Sequence, residues 1–350
     1  MKLRNGKSHI VIGTALALGV PATGAWAADF YKGKDLTIIV SGRPAGTYDT
    51  YARLVAKRYN HHIPGKPAII VKNMQGAGGI KAANYMYNVA PRDGTSINAA
   101  SSAISILPLT RRKAAKFDAN KLSWIGSVSN TTRIGFVWHT SPLKTLEDGR
   151  KMQIPMGGTS VGAGSVDLVI IANELFGFKF KLVSGYHGSP QVKLAMERGE
   201  VQGTFGNQFL SLKTTTPEWL SQGKVRIITQ FGLRKDPELP DVPLFMDLAK
   251  TEADRQLLEF MLARQETAAP YFAPPAIPAD RLAVLRRAFD ATVKDPEFVA
   301  YVNKAHLEVS GPMTGEEVAA LTAKLSKTPQ SVLNRIEKIF ASYRTKKKKK

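Results

Sequence analysis

The 350-residue chain has no cysteine, so no disulfide holds it together and a packed core must do that work, which a chain of this length can supply. Carboxylates are scarce against bases: 28 Asp and Glu face 49 Lys and Arg, for a formal net charge of +21. Beyond residue 20 no apolar run approaches the roughly 20 residues that span a bilayer, so a water-soluble mature protein is expected. No stretch interleaves aromatic residues with a concentrated basic stripe, which argues against a nucleic-acid partner.

The chain opens on Lys2, Arg4 and Lys7, runs apolar from 10 to 20 and reaches Ala25-Trp26-Ala27 ahead of Ala28. That is the tripartite pattern of a secretory signal peptide. Cleavage after Ala27 and residence in the periplasm are expected, and 1–27 is set aside. Removing Lys2, Arg4, Lys7 and the five lysines of 346–350 leaves 13 of the 21 net charges on the body. Such a surplus draws small anions from a distance, a rate effect that salt screens. The 346–350 tail reads as a solvated, disordered end.

The organising stretch is 36–53, LTIIVSGRPAGTYDTYAR. Leu36, Ile38 and Val40 lie among β-formers, Gly42, Pro44 and Gly46 break the chain, and Tyr51, Leu54 and Val55 resume at helical spacing, predicting strand, loop and helix. The free amides and partial positive charge of such a helix start suit an anion. The pattern recurs with a strand at 68–72, the loop 73–79 and a helix from 80, then a strand at 96–100. A second series follows extended segments at 124–128 and 134–139. It has strands at 152–156, 181–184, 201–205 and 225–230, with the glycine loop 157–164 before a helix at 165–176. Helices are predicted at 279–294, 295–304, 314–324 and 330–343. Alternating strands and helices indicate parallel sheets with helices on both faces, and ligands then sit beyond the carboxyl ends of the strands, where the loops fall.

Taken together, several stretches resemble the solute receptors of tripartite tricarboxylate transporters, the Bug-type periplasmic binding proteins. They are Gly46 to Asp49 with Ala52-Arg53-Leu54, Asn73 with Gly76-Ala77-Gly78-Gly79, Ala90-Pro91 with Asp93-Gly94, 157–164, Tyr186-His187-Gly188-Ser189, 239–243, and Ala273-Pro274 with Ile277-Pro278. The resemblance implies an α/β, two-lobed periplasmic binding protein fold of type II. Each lobe would be a mostly parallel sheet flanked by helices, with a helical C-terminal region. Lobe one would comprise 28–129 plus 228–345, and lobe two 130–227. It further implies a receptor, not an enzyme, that captures a small organic carboxylate and hands it to a membrane permease. A monomer without cofactor or metal is expected.

Carried over position by position, the resemblance assigns the carboxylate to Ala45, Gly46, Thr47 and Asp49 of the first lobe, and to Thr159, Ser160, Ser165 and Asn207 of the second. Ser101 and Ser102 lie in the matching third loop. Gly206 stands where the family often has aspartate. Asp49 also fits a plain helix cap. Arg43 is a candidate for bidentate capture of a second carboxylate, with Tyr48 and Tyr186 flanking the carbon skeleton.

The alternative from another class is a serine hydrolase, because 158–162 reads G-x-S-x-G around Ser160. The histidines available for a triad are His187 and His306, and Asp167 falls inside the helix the elbow would open. His61-His62 lack a third ligand at metal spacing. In Gly76-Ala77-Gly78-Gly79, Lys81 takes the place of a third dinucleotide-loop glycine.

Overall fold

The computed structural model describes residues 30–110, 113–159 and 163–348, with side chains described to 343. The expected leader lies outside these residues. The first lobe begins with β1 (Asp35–Val40), α1 (Thr47–His62), β2 (Ala68–Asn73), α2 (Ile80–Asn88), β3 (Ser96–Ala99), α3 (Leu107–Thr110) and β4 (Ser123–Ser127). The chain then crosses to β5 (Arg133–Trp138), β6 (Pro155–Gly158), α4 (Gly164–Phe176), β7 (Lys181–Ser184), α5 (Ser189–Glu197), β8 (Gly203–Gln208), α6 (Phe209–Thr215), α7 (Pro217–Ser221) and β9 (Val225–Phe231). After α8 (Glu252–Leu262) it returns through β10 (Pro270–Ala273), α9 (Ala279–Lys294), α10 (Pro296–Lys304), β11 (Met313–Thr314) and α11 (Gly315–Ser326), and ends in α12 (Gln330–Lys348).

Two sheets result, in the orders β11-β4-β10-β3-β1-β2 and β7-β6-β8-β5-β9. Both are mixed. β2, β1 and β3 pair in parallel, as do β7, β6 and β8, whereas every pairing of β5, β9, β10 or β11 with another of these strands is antiparallel. The expected parallel character thus holds for the βα units alone. β5 and β10, the strands that enter each sheet directly from the other lobe, run against it, as does β11, whereas β9, antiparallel to β5, runs with β6, β7 and β8.

In the first lobe, Ile38 and Val40 of β1, Val55 and Tyr59 of α1 and Leu285 and Phe289 of α9 share one apolar cluster. In the second, Met156, Val169, Phe205 and Phe231 anchor another, which also takes in Leu244, Phe245, Leu257, Leu258 and Val332. Much of 232–262 and the start of α12, placed by the expected boundary in lobe one, therefore packs on the sheet of lobe two. The apolar face of α8, with Leu257 and Leu258 buried, finds its partner there, and chain proximity does not decide. α12 also continues to Lys348, so 346–348 is helical where a disordered tail was expected; lysine is a good helix former.

Two chains cross between lobes side by side. Thr131 N donates to Gln265 O at 2.8 Å, Ala268 N to Ser129 O at 2.9 Å and Val128 N to Ala269 O at 3.1 Å. Paired crossings of this kind restrict relative lobe motion to a hinge.

Within lobe one, Asp295 caps α10 and clips it to α1. Its Oδ2 accepts from Arg58 Nη2 at 2.8 Å and lies 3.0 Å from His62 Nε2. Burial alone would raise this carboxyl, but the Arg58 and His62 bonds and two backbone amides outweigh it and hold it at about 2. A depressed carboxyl stabilises fully above its unfolded value near 3.8 and loses that contribution as pH falls through its folded value. Asp295→Asn should therefore lower the thermal midpoint at pH 6 and converge with the parent at pH 2. Equal midpoints at pH 6 would remove the clip from the account.

Candidate functional site

The first wall forms where β1 ends. Gly46 starts α1 without any side-chain cap, so the first amides of the helix must find partners elsewhere. Asp49 instead braces the residue before the cap: its Oδ2 accepts from Ala45 N at 2.8 Å and Arg53 Nε at 2.9 Å, while Oδ1 accepts from Asn73 Nδ2 at 2.9 Å. Burial would raise the Asp49 carboxyl, yet these bonds hold it below the usual range. Gly46 N donates to Arg43 O at 3.1 Å. The amides of Ala45 and Gly46 are thereby occupied, and those of Thr47 and Tyr48 are next at the helix start. Tyr48 ties this loop to the third one: its hydroxyl donates to Ser102 Oγ at 3.2 Å and accepts from Ser102 N at 3.0 Å.

The second wall stands on β5, β6 and β8. Thr159 N donates to Ser165 Oγ at 3.1 Å, and the Thr159 and Ser165 hydroxyls lie 3.1 Å apart. Gly206 has φ +67°, and a Cβ there would meet the carbonyl carbon of Gly164 at 2.6 Å. Only glycine fits that approach. Its carbonyl accepts from Arg133 Nη1 at 2.6 Å. No described carboxylate pairs with Arg133. Burial, and next the charge of Arg264, push its guanidinium down to about 10, with Tyr48 opposing.

Between the walls lies a cavity of about 350 Å3. Thr47, Tyr48, Tyr51 and Ser102 line it from lobe one, Gln208, Ser211 and Thr214 from lobe two, and Thr131, Arg264 and Gln265 from the crossing chains. A smaller cavity of about 110 Å3 is bordered by Thr159, Ser165, Gly206 and Asn207. Arg133 borders both.

The expected residues divide accordingly. Thr47, Tyr48 and Ser102 face the main cavity, and Thr159, Ser165 and Asn207 the smaller one. Ala45, Gly46, Asp49 and Ser101 border neither; the first three brace the loop before α1, and Ser101 Oγ accepts from Ala103 N at 3.3 Å. Arg43 is exposed and borders neither cavity. Tyr186 is turned to Glu200 Oε2 at 3.3 Å. Ser160 lies outside the described residues. Arg133, Arg264 and Glu308 escaped the sequence reading. The available signal for Arg133 was a cation opening an otherwise apolar strand, RIGFVW. Arg43→Ala should leave the affinity for any carboxylate within about twofold, checked by calorimetry, because its side chain lies in solvent; exposed charges contribute little.

Two α/β lobes joined by paired crossings, with a polar, positively charged cavity between them, define a solute-binding receptor of the two-lobed kind. The model of the tripartite tricarboxylate transporter family receptor matches residues 52–338, and the chain belongs to that family. It is 26% identical over 255 residues, 69% of this chain and 72% of the relative, to a protein of Cupriavidus necator described as the UPF0065 protein in the gbd 5′ region. Its fold is similar to that of a TctC solute-binding protein from Polaromonas solved without ligand, at 16% identity and TM-score 0.68, covering 87% of this chain and 99% of that one. It is also similar to MatC from Rhodopseudomonas palustris with bound malate, at 19% identity and TM-score 0.51, covering 88% and 99%.

Proposed function

We propose that this protein is a periplasmic receptor that closes its lobes over a small organic carboxylate and delivers it to the permease of a tripartite tricarboxylate-type transporter. The observation that carries the reading is Arg133, a half-buried guanidinium with one backbone acceptor and no acid among the described residues, at the junction of the two cavities. A cation drawn out of water without a counter-charge is costly, and a ligand carboxylate supplies two oxygens in the plane of its fork. Thr159, Ser165 and Asn207 stand ready for the same anion, while the start of α1, with Tyr48 and Ser102, meets the ligand from the opposite lobe. Closure follows because the ligand touches both walls at once only when they approach.

Family membership and the malate-bound relative support carboxylates as the ligand class. Export is consistent with the leader-like start of the chain, with cleavage after Ala27, and no helix among the described residues is long and apolar enough to cross a membrane. A monomer suffices for this role. The serine-hydrolase alternative gains nothing: the family is one of receptors, and His306 borders the main cavity, whereas the helix that an elbow at Ser160 would open starts at the smaller one.

Thermal-shift and calorimetric titration with a panel of mono- and dicarboxylates tests the proposal. A ligand present at 100 times its Kd stabilises a one-site receptor by about 2.7 kcal/mol, so a clear rise in midpoint with the ligand recovered unchanged is expected. No shift with any carboxylate, or turnover of an ester that Ser160→Ala abolishes, would overturn it.

A further inference from the structure

Between Asp49 and Glu147 the chain carries 14 Lys and Arg against two acids, Asp93 and Asp118. The fold gathers part of this surplus on one face of lobe one. Lys81, Asn84 and Asn88 lie along one side of α2, as helical spacing requires. The stretch after α3 is laid beside them: Asn84 Nδ2 donates to Ala114 O at 3.0 Å, Lys116 N to Asn84 Oδ1 at 2.7 Å and Asn88 Nδ2 to Lys116 O at 3.0 Å. Ala115 and Phe117 anchor it from below, in the apolar cluster that holds Ala82, Ala83 and Met86. The face is therefore built before any partner arrives.

Lys81, Arg92, Lys113 and Lys116 are exposed on or beside it, and none forms an ion pair with a described residue. Arg58, Lys213, Arg286 and Arg335 elsewhere each hold an acid. The two acids of the stretch are engaged locally, Asp93 Oδ1 by Thr95 N and Asp118 Oδ1 by Asn120 N, both at 2.9 Å. Just past α2, Val89 is 69% exposed, more than Ile70, Leu194 or Tyr301, and Arg92 is held at the same end by its bond to Tyr87 O at 3.2 Å. Unpaired bases thus surround a protruding apolar tip.

Charges of both signs fix the register of a protein partner, and this face offers its bases without a free acid. A surface of headgroups, uniformly anionic, needs no register, and an apolar tip ringed by bases suits the headgroup boundary. We propose that this face of lobe one, with Val89 at its tip, docks on an anionic phospholipid surface. Each base near such a surface strengthens attachment roughly fivefold, so four give a hold that is weak singly, appreciable together and screened by salt. A receptor so held searches for its permease in a plane. The inference makes no use of the cleft or its ligand, so it and the receptor reading can fail separately.

The test is co-sedimentation with phosphatidylcholine vesicles, with and without about one-third phosphatidylglycerol. Attachment should require the anionic lipid and fade between low and physiological salt. Lys81→Gln, Arg92→Gln and Lys116→Gln together should weaken it about 100-fold. The same change at Lys151, Lys179 and Lys181, exposed on lobe two, should leave it within about threefold, since charges held away from the lipid are screened. Removing 346–350 should likewise spare most of it. Because the chain has no cysteine, Val89→Cys labelled with a solvent-sensitive dye reports the docked point. Its emission should shift to the blue on anionic vesicles, and that of Lys179→Cys should not. Unshifted thermal midpoints confirm that the variants fold. Equal weakening by the two triple substitutions, attachment carried by the lysine tail, an unresponsive probe at Val89 or no attachment at all overturns the inference. Capture by the purified permease in detergent without any lipid attachment also overturns it, and leaves the receptor reading standing.

Discussion

Arg133→Ala is expected to weaken carboxylate binding by about 30- to 1,000-fold, equivalent to roughly 2–4 kcal/mol, the range for truncating one member of a desolvated charge pair. The loss should appear mainly in the dissociation rate, because long-range attraction draws on the whole basic surface while the half-buried fork acts only on the seated ligand. Without ligand the variant should melt close to the parental temperature, since the half-buried guanidinium it loses has no acid partner among the described residues. Arg133→Lys should recover only part of the affinity, because an ammonium cannot present the planar fork that Gly206 O and a carboxylate take from two sides. Calorimetry and stopped-flow dissociation measure both quantities. Retention of affinity within threefold in Arg133→Ala would displace this residue from the centre of the site.

Gly206→Ala should be the most damaging single-methyl addition in the second wall. The backbone at Gly206 is left-handed, and the new Cβ would sit 2.6 Å from the Gly164 carbonyl carbon and 2.8 Å from its oxygen. Backbone strain and the forced shift of α4 each cost about 1–3 kcal/mol, so a stability loss of about 2–6 kcal/mol is expected. The comparison that isolates the clash is Gly199→Ala, also left-handed at φ +76° but with nothing within 4 Å of the added carbon. That variant should lose about 1 kcal/mol from strain alone and keep its affinity. Gly206→Ala should lose affinity as well, because moving Gly206 O releases the Arg133 guanidinium. Equal stability in the two variants would contradict the close approach of these loops.

The local elements were largely legible. β1, α1, β7 and α9 fall where alternation, glycine loops and helical spacing put them. The strand expected at 152–156 is found at Pro155–Gly158 because Gly157 and Gly158, which look like loop residues, leave room for Val192 and Val166. The four-residue β10 and the two-residue β11 carry too few side chains to show a period. The guanidiniums were hidden for a different reason. Arg133 meets Gly206 only because β5 pairs antiparallel with β8 in the register Arg133↔Gln208. Arg264 arrives from more than a hundred residues away along the returning chain. Helix starts and glycine loops announce themselves locally, whereas a charge becomes part of a site through what it is folded against.

The paired crossing chains have one more consequence. Arg133 lies two residues beyond Thr131 on the outgoing chain, and Arg264 one residue before Gln265 on the returning one, so both cations sit beside the fulcrum. Points near a fulcrum travel least when the jaws swing, whereas Tyr48 and Ser102, carried on loops of one jaw, sweep a wider arc. On the proposed reading, an acid entering the open mouth would meet the same two charges it keeps after the jaws shut, and the later movement would add contacts without disturbing the first ones.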